Sequence, residues 1–198
     1  MTQVLLCNNK LYSDEEFDTA LLSDRKLHGA EFVGCTFRSC SFSGSTLTDV
    51  GFEDCEFHLC DLSSLRLEST SFSGVAFHDS KLLGIDWSDA ALAFDATFKG
   101  CTLDYASFSG MGLNGVSFTE CRLLEVDFTG ADARGVQFHE CELQRSSFDR
   151  AKLKKADFST STGVFIDPGT ADARGAIIGP ETAVELARRS GLVVKGFD

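Results

Sequence analysis

"VSFTECRLLEVDFTGAD", residues 116–132, carries a large apolar residue at every fifth position: Phe118, Leu123 and Phe128. Two places before each stands a small or apolar one: Val116, Cys121 and Val126. A period of five is neither the 3.6 of an α-helix nor the 2 of a strand. The remaining three positions of each unit are mostly Ser, Thr, Asp, Glu, Arg or Gly, so two inward positions alternate with three outward ones.

Outward from this stretch the spacing persists in both directions. A first array of centres runs from Leu27 through Phe32 and Phe37 to Trp87 and Leu92, with Phe17 and Leu22 in the same frame. The frame then slips by one, and a second array runs from Phe98 to Phe158 with only Ala133 lacking bulk. Fifteen of the 18 Phe are centres, so one kind of interior position is being repeated. A period of twenty lies on top: Phe98, Phe118, Phe138 and Phe158 form one column, and Phe108, Phe128 and Phe148 another. Leu103, Leu123 and Leu143 form a third, and Leu113, Ala133 and Leu153 a fourth. Four five-residue sides per turn superimpose these columns and stack like on like along a solenoid axis.

The eight cysteines obey the same rule. Seven of them stand two before a centre, and Cys101, Cys121 and Cys141 are twenty apart. A reduced cysteine there is a small buried hydrophobe. Zinc held by that column would need a fourth ligand, and none is evident. His58 and His78, also twenty apart, are expected to stack on one outer face. No metal or cofactor is expected.

At 198 residues with 43% hydrophobic content, the chain can bury a sizeable core. Its net charge of −12 argues against direct binding to nucleic acid or an anionic membrane. The start "MTQVLLCNNKLY" reads as no signal peptide, no apolar run approaches a membrane span, and a cytoplasmic location is expected. Inward cysteines, a cleft-free rod and the absence of a phosphate-cradling glycine loop argue against an enzyme.

Residues 1–158 are assigned to the repeat, with the slip at about 93–97, and 159–198 to a capping and dimerisation segment. At the slip, Phe94 and Asp95 form a candidate loop, with Phe94 off register. In the tail, "GPETAVELARRSG" reads as a short helix with Pro180 at its start, Arg188 and Arg189 in its last turn and Gly191 as its stop. Ala183, Leu186 and Ala187 make its apolar stripe, and Leu192, Val193 and Val194 read as a strand. This cap covers the open sheet end and offers a surface to a second copy.

"AEFVG", "CTFRS", "CEFHL", "ADFST" and "AKLKK" resemble the motif of the pentapeptide-repeat proteins: small, polar, Leu or Phe, polar, polar. The resemblance covers residues 15–160 and implies an all-β solenoid, a right-handed quadrilateral β-helix with a short C-terminal helix and strand cap. "FIDP", "GPETAVELARRSGLVV" and "LLGIDWSDA" are similar to the gyrase-protecting branch, the Qnr quinolone-resistance and the microcin and albicidin immunity proteins. That branch implies a homodimer joined through its C-terminus, a DNA-like rod that binds DNA gyrase or topoisomerase IV and relieves poisoning by a drug or toxin. The alternative is a non-catalytic scaffold for another protein.

Charge favours the first half for mimicry. Residues 1–92 carry 6 Lys/Arg against 15 Asp/Glu, a net of −9. At the spacing of stacked strands this is about one charge per 2 Å, near that of duplex DNA. Residues 93–158, with 8 against 10, fall well short, and Arg145, Arg150, Lys152, Lys154 and Lys155 cluster there. The candidate enzyme-facing acids are Asp49, Glu53, Asp54, Glu56, Asp61, Asp79, Asp86 and Asp89.

Overall fold

The computed structural model describes residues 6–90 and 94–196, so the expected centre Leu92 lies outside the described residues. The chain winds as a right-handed quadrilateral β-helix of about eight turns with one short C-terminal helix. Its strands are mostly three residues long with the middle one buried, such as Glu31–Val33, Thr36–Arg38 and Glu56–His58. All pair in parallel with the coil above and below, in a register that sets Phe37 against Phe57 and Phe98 against Phe118.

The corners explain the repeat's fifth position. The residue two after each centre adopts a left-handed backbone, as at Asp14, Asp54, Asp79 and Tyr105 with φ of 53°, 51°, 49° and 63°. Its N–H then bonds the next coil, as Asp14 N to Val33 O at 2.9 Å and Asp54 N to Ser73 O at 2.9 Å. Asp, Asn, Ser and Gly tolerate this conformation best, so the corners are polar for a backbone reason before any functional one.

Four columns of centres fill the interior. The first face contributes Tyr12, Phe32, Phe52, Phe72, Phe94, Leu113, Ala133 and Leu153, all buried. The second contributes Phe17, Phe37, Phe57, Phe77, Phe98, Phe118, Phe138 and Phe158, stacked ring on ring at 4.6–5.1 Å. The third is mostly leucine. The fourth is Leu27, Leu47 and Leu67 in the first half, then Trp87, Phe108, Phe128 and Phe148. Aromatic rings therefore occupy the first and second faces at one end and the second and fourth at the other. Trp87 makes the exchange: it stacks on Phe108 at 5.9 Å and meets Phe72, Phe77, Phe94 and Phe98 edge-on.

The small position two before each centre does more than fill space. Cys55 Sγ donates to Phe32 O at 3.4 Å, Ser146 Oγ to Leu123 O at 2.6 Å and Ser161 Oγ to Phe138 O at 2.7 Å. Each thiol or hydroxyl thus bonds the carbonyl of a centre in the preceding coil. Only the Cys, Ser and Thr residues at this position make the bond; Leu65, Val116 and Val126 fill the same place with apolar bulk alone. All the repeat cysteines are free and buried.

The frame slip differs from the expected loop. Phe94 and Asp95 lie in the strand Phe94–Lys99, and Phe94 is buried against Phe72, Trp87 and Phe108. Phe94 pairs with Phe72 and Ala96 with Val75, so the register shifts within the Phe72–Val75 segment of the lower strand. An aromatic residue at the slip is worth more as a core filler than exposed, which draws Phe94 inward.

The coil also runs on past Phe158. Thr162 bridges to Glu142, Asp172 to Lys152, and the strand Ile177–Ile178 pairs with Asp157–Phe158. The helix Pro180–Arg189 follows. Leu192, Val193 and Val194 form no strand, because Leu192 N bonds Ala187 O as the helix ends and no sheet edge lies alongside. The cap's strand is Ile177–Ile178 instead. Ala183 is exposed, Leu186 and Ala187 are half-buried, and the helix covers Thr182 and Val184. The helix meets the last coil on a side centred on Val184, with Leu186 beside Ile166 and Ile178 and Arg189 over the Phe165 ring at 4.0 Å.

Candidate functional site

The described surface holds no group of three or more His, Cys, Asp or Glu side chains placed to hold a metal, and no described helix is long and apolar enough to cross a membrane. What distinguishes it is the distribution of charge on the four flat sides.

The eight expected acids do not share a face. Glu53 and Asp54 lie on the first, Glu56 and Asp79 on the second, Asp61 on the third, and Asp49, Asp86 and Asp89 on the fourth. All are exposed except Asp61, which is half-buried and accepts a bond from Ser63 N at 3.0 Å. Asp86 is engaged locally as well, capping the turn Trp87–Asp89 through bonds from Ser88 N and Ser88 Oγ. Glu56 bonds His58 at 2.8 Å, and this contact lowers its carboxyl below the usual range against the opposing effect of partial burial. His58 and His78 stack at 4.7 Å in a register column that runs Arg38, His58, His78, Lys99. The second face is therefore mixed in charge.

The first half of the first face is not mixed. Its outward residues in the first half include Asp14, Glu31, Glu53 and Asp54, continued by Asp95 and interrupted by no Lys or Arg. Asp14 and Glu31 were not among the expected acids. The period of twenty could have found them, by assigning outward residues to sides rather than counting charge along the chain. The glycines on this face belong to the arrangement: Glu31 lies over Gly51, Asp14 over Gly34 and Asp54 over Gly74, each in the next coil. A Cβ at Gly51 would collide with the Glu31 carboxylate, so Gly51 lets that side chain lie flat on the sheet.

Neutralisation separates the two halves further. Among the described residues, every ion pair between a Lys or Arg and a carboxylate lies at Asp104 or beyond: Arg122–Asp104, Arg134–Asp132, Arg145–Glu125, Arg150–Asp149, Lys152–Asp132, Arg174–Asp172 and Arg189–Glu185. Among the described residues of the first half, the only pairs involve histidine, His28–Asp49 and His58–Glu56. Among the described residues, the first-half carboxylates therefore project their field outward with no Lys or Arg within ion-pair distance.

At the C-terminal end, Leu192 and Val193 are 63% and 86% exposed and Ile177 is 51% exposed. Beside them the last coil and the helix enclose a groove lined by Ile166, Pro168, Ala171, Ala176, Ile178 and Leu186.

Comparison with known proteins agrees with this architecture. A trypsin-treated variant of QnrB1, a plasmid-mediated fluoroquinolone resistance protein, superposes with a TM-score of 0.59 at 24% identity, over 94% of this chain and 91% of that one. HetL, a pentapeptide repeat protein involved in heterocyst differentiation regulation in the cyanobacterium Nostoc, superposes with a TM-score of 0.70 at 16% identity, over 87% and 86% of the two chains. No curated protein matches the sequence. The family model described as the pentapeptide repeat region matches residues 30–108 and 95–158. With most of its length matched by that model, the chain belongs to the pentapeptide-repeat family.

Proposed function

We propose that this protein binds DNA gyrase or topoisomerase IV as a mimic of its DNA and protects the enzyme from a poisoning antibiotic or toxin. The observation that carries this reading is the first face, where Asp14, Glu31, Glu53 and Asp54 stand unpaired on a rod. Coils about 4.8 Å apart present such carboxylates at intervals comparable to DNA phosphates. A basic DNA-binding saddle would meet here the charge it is built for, without a nucleic acid.

The fold likeness to a fluoroquinolone resistance protein supports the same reading. A homodimer joined at the C-terminus accords with the exposed Leu192 and Val193, and a cytoplasmic location with the free thiols. The role is non-catalytic binding. A scaffold for a different protein partner is the second reading, favoured by the higher TM-score to HetL.

The test is gyrase supercoiling and topoisomerase IV decatenation with and without a quinolone or peptide poison, titrating this protein. Rescue of the poisoned enzyme is expected. Neither rescue nor inhibition at any concentration gives the scaffold reading the field.

A further inference from the structure

The first face changes sign along the rod. In the first half its outward acids are Asp14, Glu31, Glu53, Asp54 and Asp95. In the second half the same side carries Arg134, Lys152, Lys154, Lys155 and Arg174 against Asp132 and Asp172, a net of +3. The two ends form one continuous surface. The backbone register runs Leu11, Glu31, Gly51, Ser71 at the acidic end and Gly112, Asp132, Lys152, Asp172 at the basic end, and Asp95 Oδ1 reaches Gly115 across the middle. The coils flanking Asp95 are uncharged on this side, with Ser71, Ser73 and Gly74 below and Gly112, Asn114 and Gly115 above.

We propose that this face pairs with the same face of a second copy, the two rods lying side by side and antiparallel about a two-fold axis at Asp95. Such an axis lies in the interface, perpendicular to the rod. It reverses the order of coils while keeping each position along a strand opposite its own kind. Glu31 then faces Lys152 of the second copy, since both stand one before a centre. Glu53 faces Arg134, since both stand one after.

The other charges meet no like charge. Asp132 falls opposite Gly51, Asp54 opposite Gly135 and Asp14 opposite Gly175, each acid next to a base of the facing rod. Asp172 falls opposite Leu11, and the uncharged coils oppose one another. Only Asp95 meets its own copy. Lys154 and Lys155, which have no carboxylate within ion-pair distance among the described residues, gain acids there. A second copy with this sign reversal supplies both charges in the needed order, which a uniformly anionic or cationic partner does not.

The contact is small. A face about 40 Å long and about 10 Å wide, from strand spacing and rise, offers about 400 Å² per copy. That is at the low end for specific interfaces, so the pairing is transient and salt-sensitive. It does not rest on the topoisomerase reading, although it uses the same acids and would compete with any basic partner.

The experiment uses the full chain carrying Leu192→Glu and Val193→Glu, which removes the exposed apolar C-terminal patch from consideration. Sedimentation equilibrium at low and high salt is expected to show dimer only at low salt. A Glu31→Lys, Glu53→Lys variant and an Arg134→Glu, Lys152→Glu variant should each bind itself at least tenfold more weakly. An equimolar mixture of the two should recover association, with a carbodiimide cross-link joining residue 31 of one variant to residue 152 of the other.

Monomer at all salt concentrations in the parent, or a mixture no more associated than its components, overturns the proposal. Circular dichroism on each variant confirms that the coil is intact. Since no enzyme is present, failure here leaves the supercoiling assay to decide the topoisomerase reading separately.

Discussion

Phe118 lies directly over Phe98, with ring centroids 5.1 Å apart and planes within 6°. The next ring, Phe138, repeats the relationship at 5.1 Å and 4°. This column carries the stability of the rod, because each ring is covered above and below by another. Phe118→Ala should cost about 3–5 kcal/mol and Phe118→Leu considerably less, read from the urea midpoint. Equal losses for the two would mean that ring stacking contributes nothing beyond volume.

Trp87 is wholly buried, yet its Nε1–H has no hydrogen-bond partner. An unmet buried donor costs about 1–3 kcal/mol, which offsets part of what the indole gains by filling the exchange between columns. Trp87→Phe should therefore lie within about 1 kcal/mol of the parent, whereas Trp87→Ala should lose about 3–5 kcal/mol. Thermal unfolding of both distinguishes a strained indole from an indispensable one.

Two interior thiols, Cys55 and Cys121, make stability fall in alkali. Burial pushes the Cys55 thiol up to about 12, and hydrogen bonding with Cys101, aided by burial, does the same to Cys121. In the unfolded chain such thiols ionise near about 8.5. Their contribution is thus whole below that pH and declines as pH rises toward about 12, by about 1.4 kcal/mol per pH unit for each thiol. Thermal midpoints measured between about pH 8 and 11 should drop less steeply in Cys55→Ala than in the parent. Parallel slopes would refute the assignment.

Charge reversal separates the faces. Glu31→Lys with Glu53→Lys and Asp54→Asn, which keeps a residue suited to the left-handed corner, alters only the first face, and should abolish protection of gyrase while changing stability by no more than about 0.5 kcal/mol per site. Reversing Asp49, Asp86 and Asp89 on the fourth face should have a smaller effect in the same supercoiling assay. The opposite ranking would move the enzyme-facing side.

The C-terminal contact is best probed at residues the last coil does not need. Leu186 lines the groove and is half-buried, so a charge there would loosen the cap as well. Leu192→Glu with Val193→Glu should instead give a folded monomer at high salt. A dimer that persists in light scattering would place the contact elsewhere.

Much of this was readable in the chain itself. Phe98, Phe118, Phe138 and Phe158 announced a column because a five-residue unit admits one large inward residue and four units return the same side chain at twenty. The end of the coil was not readable, since Gly163 and Pro168 stand where centres are due and Val164 is buried out of phase. Phe94 was misplaced for a similar reason: register lost between coils was recovered in the Phe72–Val75 segment of the coil below, which local spacing at the slip could not reveal. The acidic face was hidden by counting charge along the chain, because Asp14 and Glu53 come to one side only after folding.

The exchange at Trp87 also bears on how such a rod can change in length. Removing or duplicating twenty residues within the Phe32–Phe72 stretch, or within Phe108–Phe148, restores like upon like. A cut that joins Phe52 to the Leu113 coil would set rings against leucines on two adjacent sides. Growth by duplication is therefore confined to either arm, and the tryptophan marks a junction that recombination must leave untouched.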